Sequence, residues 1–194
     1  MIGMVMGILV NSIMSSNEEE IRQEQKIVED RMRESITCLS KMLENQEDTH
    51  YVEAQCKRMD LLKVDELLDR LLKKAYEDAE NKLLTETQYQ ISYLEMRKHQ
   101  LSILEDLAKG IRGINHQLPH ALKIASYMNK MSAEFTESNN VESLLKELDN
   151  LFQFFRQESL PETREEFENR AILFHLLRDL DQFLKVKKRF IREY

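Results

Sequence analysis

Histidine and carboxylate residues at metal-ligand spacing offer the first chemistry to test in this 194-residue sequence. Di-iron helical bundles place a Glu-x-x-His motif on each of two helices, with carboxylates from two others. Glu47 and His50 match that spacing, in a segment that we predict to be a loop. No glutamate stands three residues before His99, His116, His120 or His175. With half of the motif missing, we predict no metal site and no cofactor.

The remaining histidines give no ligand pair. His116 and His120 are four residues apart, which places two ligands on one helical face, but Pro119 starts a helix between them. We interpret both as loop and first-turn residues. His175 has apolar neighbours, and we predict a helix-interface histidine whose hydrogen bonds are satisfied.

Nucleophilic catalysis has no better support. A reactive cysteine needs a neighbouring base or cation that lowers its pKa, and nothing in the sequence marks Cys38 as activated. The sequence has no glycine-rich phosphate loop and no Gly-x-Ser-x-Gly motif. The carboxylate runs at 18–20 and 165–168 are typical of solvated first turns of helices. We therefore predict that the protein is not an enzyme.

Charge and cysteine content exclude further classes. Asp and Glu number 35 against 28 Lys and Arg, so the net charge is -7. A surface that binds a nucleic-acid backbone must be basic, and we predict no nucleic-acid partner. The two cysteines, Cys38 and Cys56, are too few for a disulfide framework. In a reducing cytosol we expect both to be thiols.

Apolar residues recur at helical spacing along the chain, which predicts an all-α fold. We predict an elongated antiparallel helical bundle of about five to six helices. Capping residues and prolines indicate helix starts at Ser15, Thr85, Pro119, Asn139 and Pro161, and Gly110 and Gly113 indicate a helix end. The stretch 52–84 is one bent helix or two, because its apolar stripe slips near residue 60.

The same stripes predict the core. In the first long helix the stripe runs through Ile21, Val28, Met32, Ile36, Leu39 and Leu43. The last helix begins its stripe at Phe167. Phe174, Leu177 and Phe183 continue that stripe through the most apolar part of the C-terminal half, and we predict that they anchor the core.

The N-terminal segment 1–14 has no charged side chain and is apolar on every side of a helix. Its membrane-segment residues are Ile2, Gly3, Val5, Gly7, Ile8, Leu9 and Val10. It is about a third shorter than the roughly 20 residues that cross a membrane, and it lacks the basic start of a signal peptide. We predict the end of a transmembrane helix, followed by a soluble domain over 15–194. A first helix docked on the bundle is the alternative.

Basic residues are concentrated at the other end of the chain. Lys185, Lys187, Lys188, Arg189 and Arg192 fall within the last ten residues. They complement the negative end of a helix dipole, or they contact an anionic membrane surface at about 1 kcal/mol per side chain. We favour the dipole unless the tail faces the membrane.

Three segments carry a resemblance to a known family. The segment LPETREEFENRAILFHLLRDLDQFLKVKK, residues 160–188, resembles the closing part of the C-terminal domain of the bacterial putative aromatic acid exporter family. LPHALKIASYMNKMSAEF and the following NNVESLL are similar to the part before it, and IGMVMGILVN to the end of the last transmembrane helix. The family often has a proline linker after that helix, which NSIMSSNEEE lacks.

The resemblance implies where the domain lies and what it joins. Segment 1–14 is then the cytoplasmic end of a membrane helix, and residues 15–194 hang from it on the cytoplasmic side of the cell membrane. Only Arg22 and Lys26 stand close behind the apolar end, so the positive-inside signal is modest. The cytoplasmic placement therefore depends on the resemblance and on the low cysteine content.

Two functions stay open, with a weaker third. The first is a non-catalytic module that assembles or regulates the transporter, as a homo-oligomer or against the membrane part. The second is a sensor of a small aromatic carboxylate, with aromatic candidates at Tyr89, Tyr93, Tyr127, Phe152, Phe155 and His175, and basic candidates at Arg156, Arg170 and Arg178. The third is a free-standing cytosolic scaffold. The net negative charge repels carboxylates at long range, which favours the first.

Overall fold

The computed structural model describes residues 2–45, 60–81, 85–114 and 119–194, with side chains except those of 2–18, 80–81 and 85–87. Within these ranges the chain forms six α-helices and no strand. They are α1 (Ile2–Glu44), α2 (Leu61–Asn81), α3 (Thr85–Arg112), α4 (Pro119–Ala133), α5 (Glu142–Gln157) and α6 (Arg164–Glu193). The predicted all-α bundle is confirmed.

Contacts between helices set their directions. α1 packs against α2, α3 and α4, and α3 packs against α6. Ser40 of α1 donates to the Ala125 carbonyl of α4 at 2.8 Å, whereas Arg33, two turns earlier, donates to the Phe135 carbonyl at 2.9 Å. The residue numbers of the acceptors rise as the residue numbers of the donors in α1 fall, so α1 and α4 are antiparallel.

The predicted core stripe of α1 is confirmed, since each of its six members is at most 1% exposed. Leu177 and Phe183 of α6 are buried as predicted. The prediction for Phe174 is wrong, because it is only half-buried. It lies at the edge of the buried face of α6, with its ring 5.6 Å from that of Phe152 on α5. Phe167, at the start of that stripe, is exposed.

Several helix starts differ from their predicted positions. α1 continues through Ser15 without a break, so no helix begins there. α5 begins after Val141, which the structure places in the left-handed region at φ 57°. The Asn139 side chain accepts a hydrogen bond from the Val141 amide at 2.6 Å, so this asparagine holds the preceding turn. Thr163, whose hydroxyl accepts from the Glu166 amide at 3.1 Å, caps α6, and Pro161 precedes the helix.

Gly110 has a different role from the predicted helix cap. It lies inside α3, which ends at Arg112. A Cβ atom on Gly110 would stand 2.7 Å from Cδ2 of Leu176 on α6. Glycine therefore allows α3 and α6 to approach closely at this point. Gly113 follows the helix end, as predicted, with its amide donating to the Gly110 carbonyl at 3.0 Å.

The question of one or two helices in 52–84 is answered only in part. α2 begins at Leu61, where the Asp60 carboxylate accepts from the Lys63 amide at 3.2 Å. This cap explains why the apolar stripe slips near residue 60. Residues 46–59 and 82–84, including Glu47, His50 and Cys56, lie outside the described part of the chain.

Candidate functional site

The most polar part of the interior is a buried ion-pair network between α1 and α3. Arg97 of α3 is 0% exposed, and its Nη2 pairs with Oε1 of Glu29 on α1. Its Nε donates to the Tyr93 hydroxyl at 2.9 Å, and its Nη1 donates to Oε1 of Gln100 at 2.8 Å. Three of its five N–H donors thus have side-chain acceptors. Removing one member of such a buried pair is strongly destabilising.

The network is built from helical spacing on α3. Tyr93, Arg97 and Gln100 follow one another at intervals of four and three, so they share one face. The Tyr93 hydroxyl also donates to Glu29, and burial raises the pKa of this phenol. The Arg97 guanidinium lies 4.4 Å from the ring centre of Phe135, a cation–π contact that suits a desolvated cation. We name Glu29, Tyr93, Arg97 and Gln100 the Arg97 network.

The predicted basic tail divides into buried, paired and exposed residues. Lys187 is 3% exposed, and its ammonium donates to the Thr136 carbonyl. Burial, followed by the nearby Arg97 charge, lowers the pKa of Lys187 to about 8. Lys187 is therefore enclosed within the bundle and is not available for contact with a membrane surface. Lys185 pairs with Asp181 at 2.6 Å and Lys188 with Glu142 at 2.9 Å, whereas Arg189 and Arg192 are exposed.

A cleft of about 630 Å³ lies beside the Arg97 network, between α1 and α3. We name it the α1–α3 cleft. Its lining residues are Arg22, Gln25, Lys26 and Glu29 of α1, Tyr89, Gln90 and Tyr93 of α3, and Glu137 from the α4–α5 connection. The volume falls within the range of small-molecule sites.

Aromatic rings close one side of this cleft. The Tyr89 ring lies 6.4 Å from Tyr93 with an interplanar angle of 19°, and 5.2 Å from both Phe190 and Tyr194 of the α6 end. The Tyr89 hydroxyl donates to Glu137 at 2.8 Å, and burial followed by this hydrogen bond raises the Tyr89 pKa to about 12. Tyr194 forms a hydrogen bond with Ser92 at 2.8 Å. The C-terminal turn is thus fastened to α3.

A second, shallower depression lies between α5 and α6. This α5–α6 groove has about 430 Å³, and it brings together Phe152 and Arg156 of α5 with Phe174 and Arg178 of α6. Its remaining lining residues are Asp149, Gln153, Asp181 and Lys185. The two phenylalanine rings meet edge-to-face at 5.6 Å. Aromatic surface and basic groups therefore coincide here, as the sensor hypothesis requires.

The other predicted sensor residues lie elsewhere. Tyr127 is buried, and its hydroxyl donates to the Leu144 carbonyl at 2.9 Å. Phe155 packs against His120 at 5.1 Å between ring centres. Arg170 pairs with Glu166 at 2.7 Å. The predicted set is therefore divided among several places in the bundle.

The interface prediction for His175 is wrong, because its side chain is 71% exposed. His120 is the buried histidine instead, with its ring against Phe154 and Phe155. Neither of its ring nitrogens has a hydrogen-bond partner, and Oε2 of Glu158 stands 3.8 Å from Nε2. Burial, followed by the charge of Arg170, lowers the His120 pKa. We name His120, Glu158, Glu166 and Arg170 the His120 cluster.

No metal centre is formed by the part of the chain that the structure describes, because no group of three potential ligands comes together there. Glu47, His50 and His116 fall outside that part. The expectation of a thiol is wrong for Cys38, which is buried and disulfide-bonded. A disulfide-bonded sulfur is no nucleophile.

The membrane-segment residues Ile2, Gly3, Val5, Gly7, Ile8, Leu9 and Val10 belong to the helical backbone of α1, and their side chains lie outside the described part. Among the described residues, none of the helices combines the length and apolar character that crossing a bilayer requires. The division into 1–14 and 15–194 stays a prediction.

The residues matched in the family comparison include those of the α1–α3 cleft, the α5–α6 groove and the Arg97 network. Residues 18–188 match the model of the putative aromatic acid exporter C-terminal domain. The chain belongs to this family. Phe190 and Tyr194, which pack on Tyr89, lie beyond the matched residues of this exporter C-terminal domain, as does segment 1–14.

Two relatives extend this result. The uncharacterized protein YqjA of Bacillus subtilis (strain 168) is 34% identical over 116 residues, which are 60% of this chain and 36% of that protein. The chain thus spans only part of that relative. A crystal structure of a putative membrane protein from Clostridium difficile 630 superposes with a TM-score of 0.75 at 26% identity, over 90% of this chain and 98% of that chain. The exporter C-terminal domain therefore has a solved structural counterpart.

The Arg97 network escaped prediction from the sequence. Arginine on a long helix is ordinarily exposed, and the sensor hypothesis selected only Tyr89 and Tyr93 from this region. One signal was available, since Arg97 and Gln100 stand among the buried positions Leu94, Leu101 and Leu104. Polar residues within an apolar stripe indicate a buried polar contact.

Proposed function

We propose that this chain is a non-catalytic domain that assembles or regulates the membrane part of an aromatic acid exporter, to which segment 1–14 connects it. The family supports this proposal, and the relative from Clostridium difficile is described as a putative membrane protein. No catalytic family is indicated by these relatives.

The observation that carries the proposal is the continuity of α1. The helix has 43 residues, which corresponds to about 65 Å at 1.5 Å per residue. Its first 13 positions, 2–14, belong to the uncharged segment, and its stripe from Ile21 to Leu43 lies in the core of the bundle. A helix shared by both parts transmits a rotation or shift of the segment to α2, α3 and α4, which pack against it.

Breaking that helix tests the proposal. In the full-length membrane protein, Asn17→Pro interrupts α1 just after the uncharged segment, because proline removes a backbone hydrogen bond and clashes with the preceding turn. We expect export of an aromatic acid from cells to fall at least several-fold, while Asn17→Ala retains export. Equal export by both variants, at equal membrane abundance, would contradict coupling through α1.

Self-association is the assembly part of the proposal. Leu160 is 87% exposed and Phe167 is 62% exposed, both beside the connection between α5 and α6. Exposed apolar side chains at one place favour a protein contact. We expect sedimentation velocity to show a concentration-dependent dimer that Leu160→Ser with Phe167→Ser weakens. Leu62→Ser on α2, at a side chain 68% exposed, is the matched control and should leave the dimer intact.

We propose that the domain lies on the cytoplasmic side of the cell membrane, as part of a membrane-bound exporter. One observation opposes this side, since Cys38 is disulfide-bonded and disulfides are rare in the cytosol. A reporter fused after Tyr194 in the full-length protein decides between the sides. A fluorescent protein that folds only in the cytoplasm should be active, and alkaline phosphatase should be inactive. The reverse pattern places the domain outside.

A sensor of a small aromatic carboxylate is the second candidate, and the α5–α6 groove favours it. Phe152 and Phe174 offer aromatic surface there beside Arg156 and Arg178. A ligand at a hundredfold excess over its dissociation constant stabilises a protein by about 2.7 kcal/mol. For a chain of this length that raises the melting temperature by about 5–10 °C. If benzoate binds in this groove, we expect it to raise the melting temperature by that amount. Arg178→Ala should abolish the shift, and His175→Ala should retain it.

A further inference from the structure

Two cations on α1 line the α1–α3 cleft and are exposed to solvent. Arg22 and Lys26 both line it, and neither makes an ion pair or hydrogen bond with a described residue. They are four residues apart, so their like charges lie one above the other on the helix. Such a like-charge pair is destabilising. An anion between them would remove that repulsion.

The acids of the cleft are already engaged elsewhere. Glu29 accepts from Arg97 and Tyr93. Glu137 accepts from Tyr89 at 2.8 Å. Because Glu29 neutralises Arg97, the lining charges that remain are those of Arg22, Lys26 and Glu137. These three charges sum to one positive charge, which is opposite in sign to the net charge of the whole chain.

The walls also define the shape of a ligand. The half-buried Tyr89 ring, which stacks on the 2% exposed Tyr93 behind it, offers an aromatic surface against which a planar or apolar group can pack. The Gln25 and Gln90 side chains line the same cleft and carry amide donors and acceptors. A volume of about 630 Å³ accommodates a small organic molecule.

We propose that the α1–α3 cleft binds a small organic oxyanion, whose carboxylate or phosphate group lies between Arg22 and Lys26 and whose flat part packs on Tyr89. The site is distinct from the α5–α6 groove and shares no lining residue with it. Its cations belong to α1, so a bound anion would join the helix of the uncharged segment to α3. Only that consequence depends on the proposed coupling function; the binding itself does not.

Binding to the full chain tests the site, with benzoate and inorganic phosphate as soluble probes and vesicles of phosphatidylglycerol as the membrane probe. The test variant is Arg22→Gln with Lys26→Gln. The matched control is Lys63→Gln with Lys73→Gln, which removes the same charge from exposed positions of α2. We expect isothermal titration to give at least a tenfold weaker benzoate affinity for the test variant, and an unchanged affinity for the control.

A wall variant separates the aromatic contact from the charge contact. Tyr89→Leu should weaken benzoate severalfold and leave phosphate unchanged, because only benzoate uses the ring surface. Circular dichroism melting checks that each variant is folded.

Three results would overturn the site. Benzoate binding that is absent, or that Arg156→Gln with Arg178→Gln weakens while Arg22→Gln with Lys26→Gln does not, removes the α1–α3 cleft from consideration. Vesicle binding that depends on Arg22 and Lys26 without binding of a soluble anion assigns these cations to a membrane surface. An equal loss of phosphate and benzoate in Tyr89→Leu contradicts the aromatic wall. The export measured for the Asn17→Pro variant tests coupling through α1 alone, and it does not test this binding site.

Discussion

The Arg97 network and the His120 cluster bury ionisable groups at two separate places in the bundle, with opposite results. Arg97, at 0% exposure, has acceptors on Glu29, Tyr93 and Gln100. His120, at 7% exposure, has no hydrogen-bond partner on either ring nitrogen. The Arg97 guanidinium is held by carboxylate, phenol and amide groups, whereas the His120 ring is held by Phe154 and Phe155.

The difference shows that burial alone does not indicate what a polar residue contributes. A buried charge is tolerated when its partners replace water, and removing one partner is strongly destabilising because it leaves the charge uncompensated. A buried polar ring without partners is held in place by its neighbours at a cost. Substitution should therefore destabilise one region and stabilise the other.

The largest effect should come from the Arg97 network. Glu29→Gln removes the carboxylate that neutralises Arg97 and leaves a buried positive charge. We expect the free energy of unfolding in urea to fall by about 3–5 kcal/mol. Replacing both residues, Glu29→Leu with Arg97→Met, should recover most of that loss, because the charge is then absent. A single substitution that costs less than about 1 kcal/mol would show that water reaches Arg97.

Lys187 predicts a pH dependence at the same end of the bundle. Its folded pKa of about 8 lies below the ordinary value of 10.5 because of burial. Between these values the unfolded chain binds more protons, so stability rises with pH. We expect a gain of about 2 kcal/mol between pH 8 and pH 9.5, measured by urea unfolding. Lys187→Met should flatten the curve, and Lys185→Met, at an exposed site on the same helix, should retain it.

The His120 cluster should respond in the opposite sense to substitution. His120→Phe replaces an unpartnered ring by an apolar ring beside Phe154 and Phe155. We expect the free energy of unfolding to rise by about 1–2 kcal/mol at pH 7, since two buried nitrogens without partners are removed. His175→Phe, at the exposed histidine of α6, is the control and should change little. A loss in the His120 variant would indicate a hydrogen bond made by this ring in solution.

Acid should weaken the His120 cluster, with the smallest of these effects. Glu158 and Glu166 favour the protonated ring, whereas burial, Arg170 and Lys123 disfavour it, and the folded pKa lies below 6.5. Above 6.5 both states are neutral and stability is unaffected. As the pH falls through 6.5 the unfolded chain binds the proton first, so stability decreases. The decrease between pH 7 and pH 5 should be smaller in His120→Phe than in wild type, and an identical decrease would exclude His120 as its source.

Periodic features of the fold could be predicted from the sequence. The α1 stripe from Ile21 to Leu43 is confirmed because side chains repeating every three or four positions can be buried only as one face. The helix starts at Thr85 and Pro119 are confirmed as well. Long helices give this signal strongly, since many residues contribute to each.

Features that depend on a distant partner could not be predicted. Glu29 and Arg97 are 68 positions apart, and neither residue alone indicates which helix it faces. Lys187 belongs to a basic run that reads as solvated, but it stands between Phe183 and Phe190 on the buried face of α6. The core prediction for Phe174 is wrong for the converse reason, because an apolar residue at the edge of a stripe can border a groove.

The left-handed valine at the start of α5 has a consequence for the order of folding. Val141 has a φ of 57°, an unfavourable conformation for a β-branched residue, and its side chain is buried beside Leu144, Phe183 and Leu184. Local preferences alone oppose this turn, so α5 gains its starting conformation only once α4 and α6 enclose Val141. We therefore expect the α4–α5 hairpin to form late in folding, so that changes at Val141 alter mainly the rate of unfolding rather than the rate of folding.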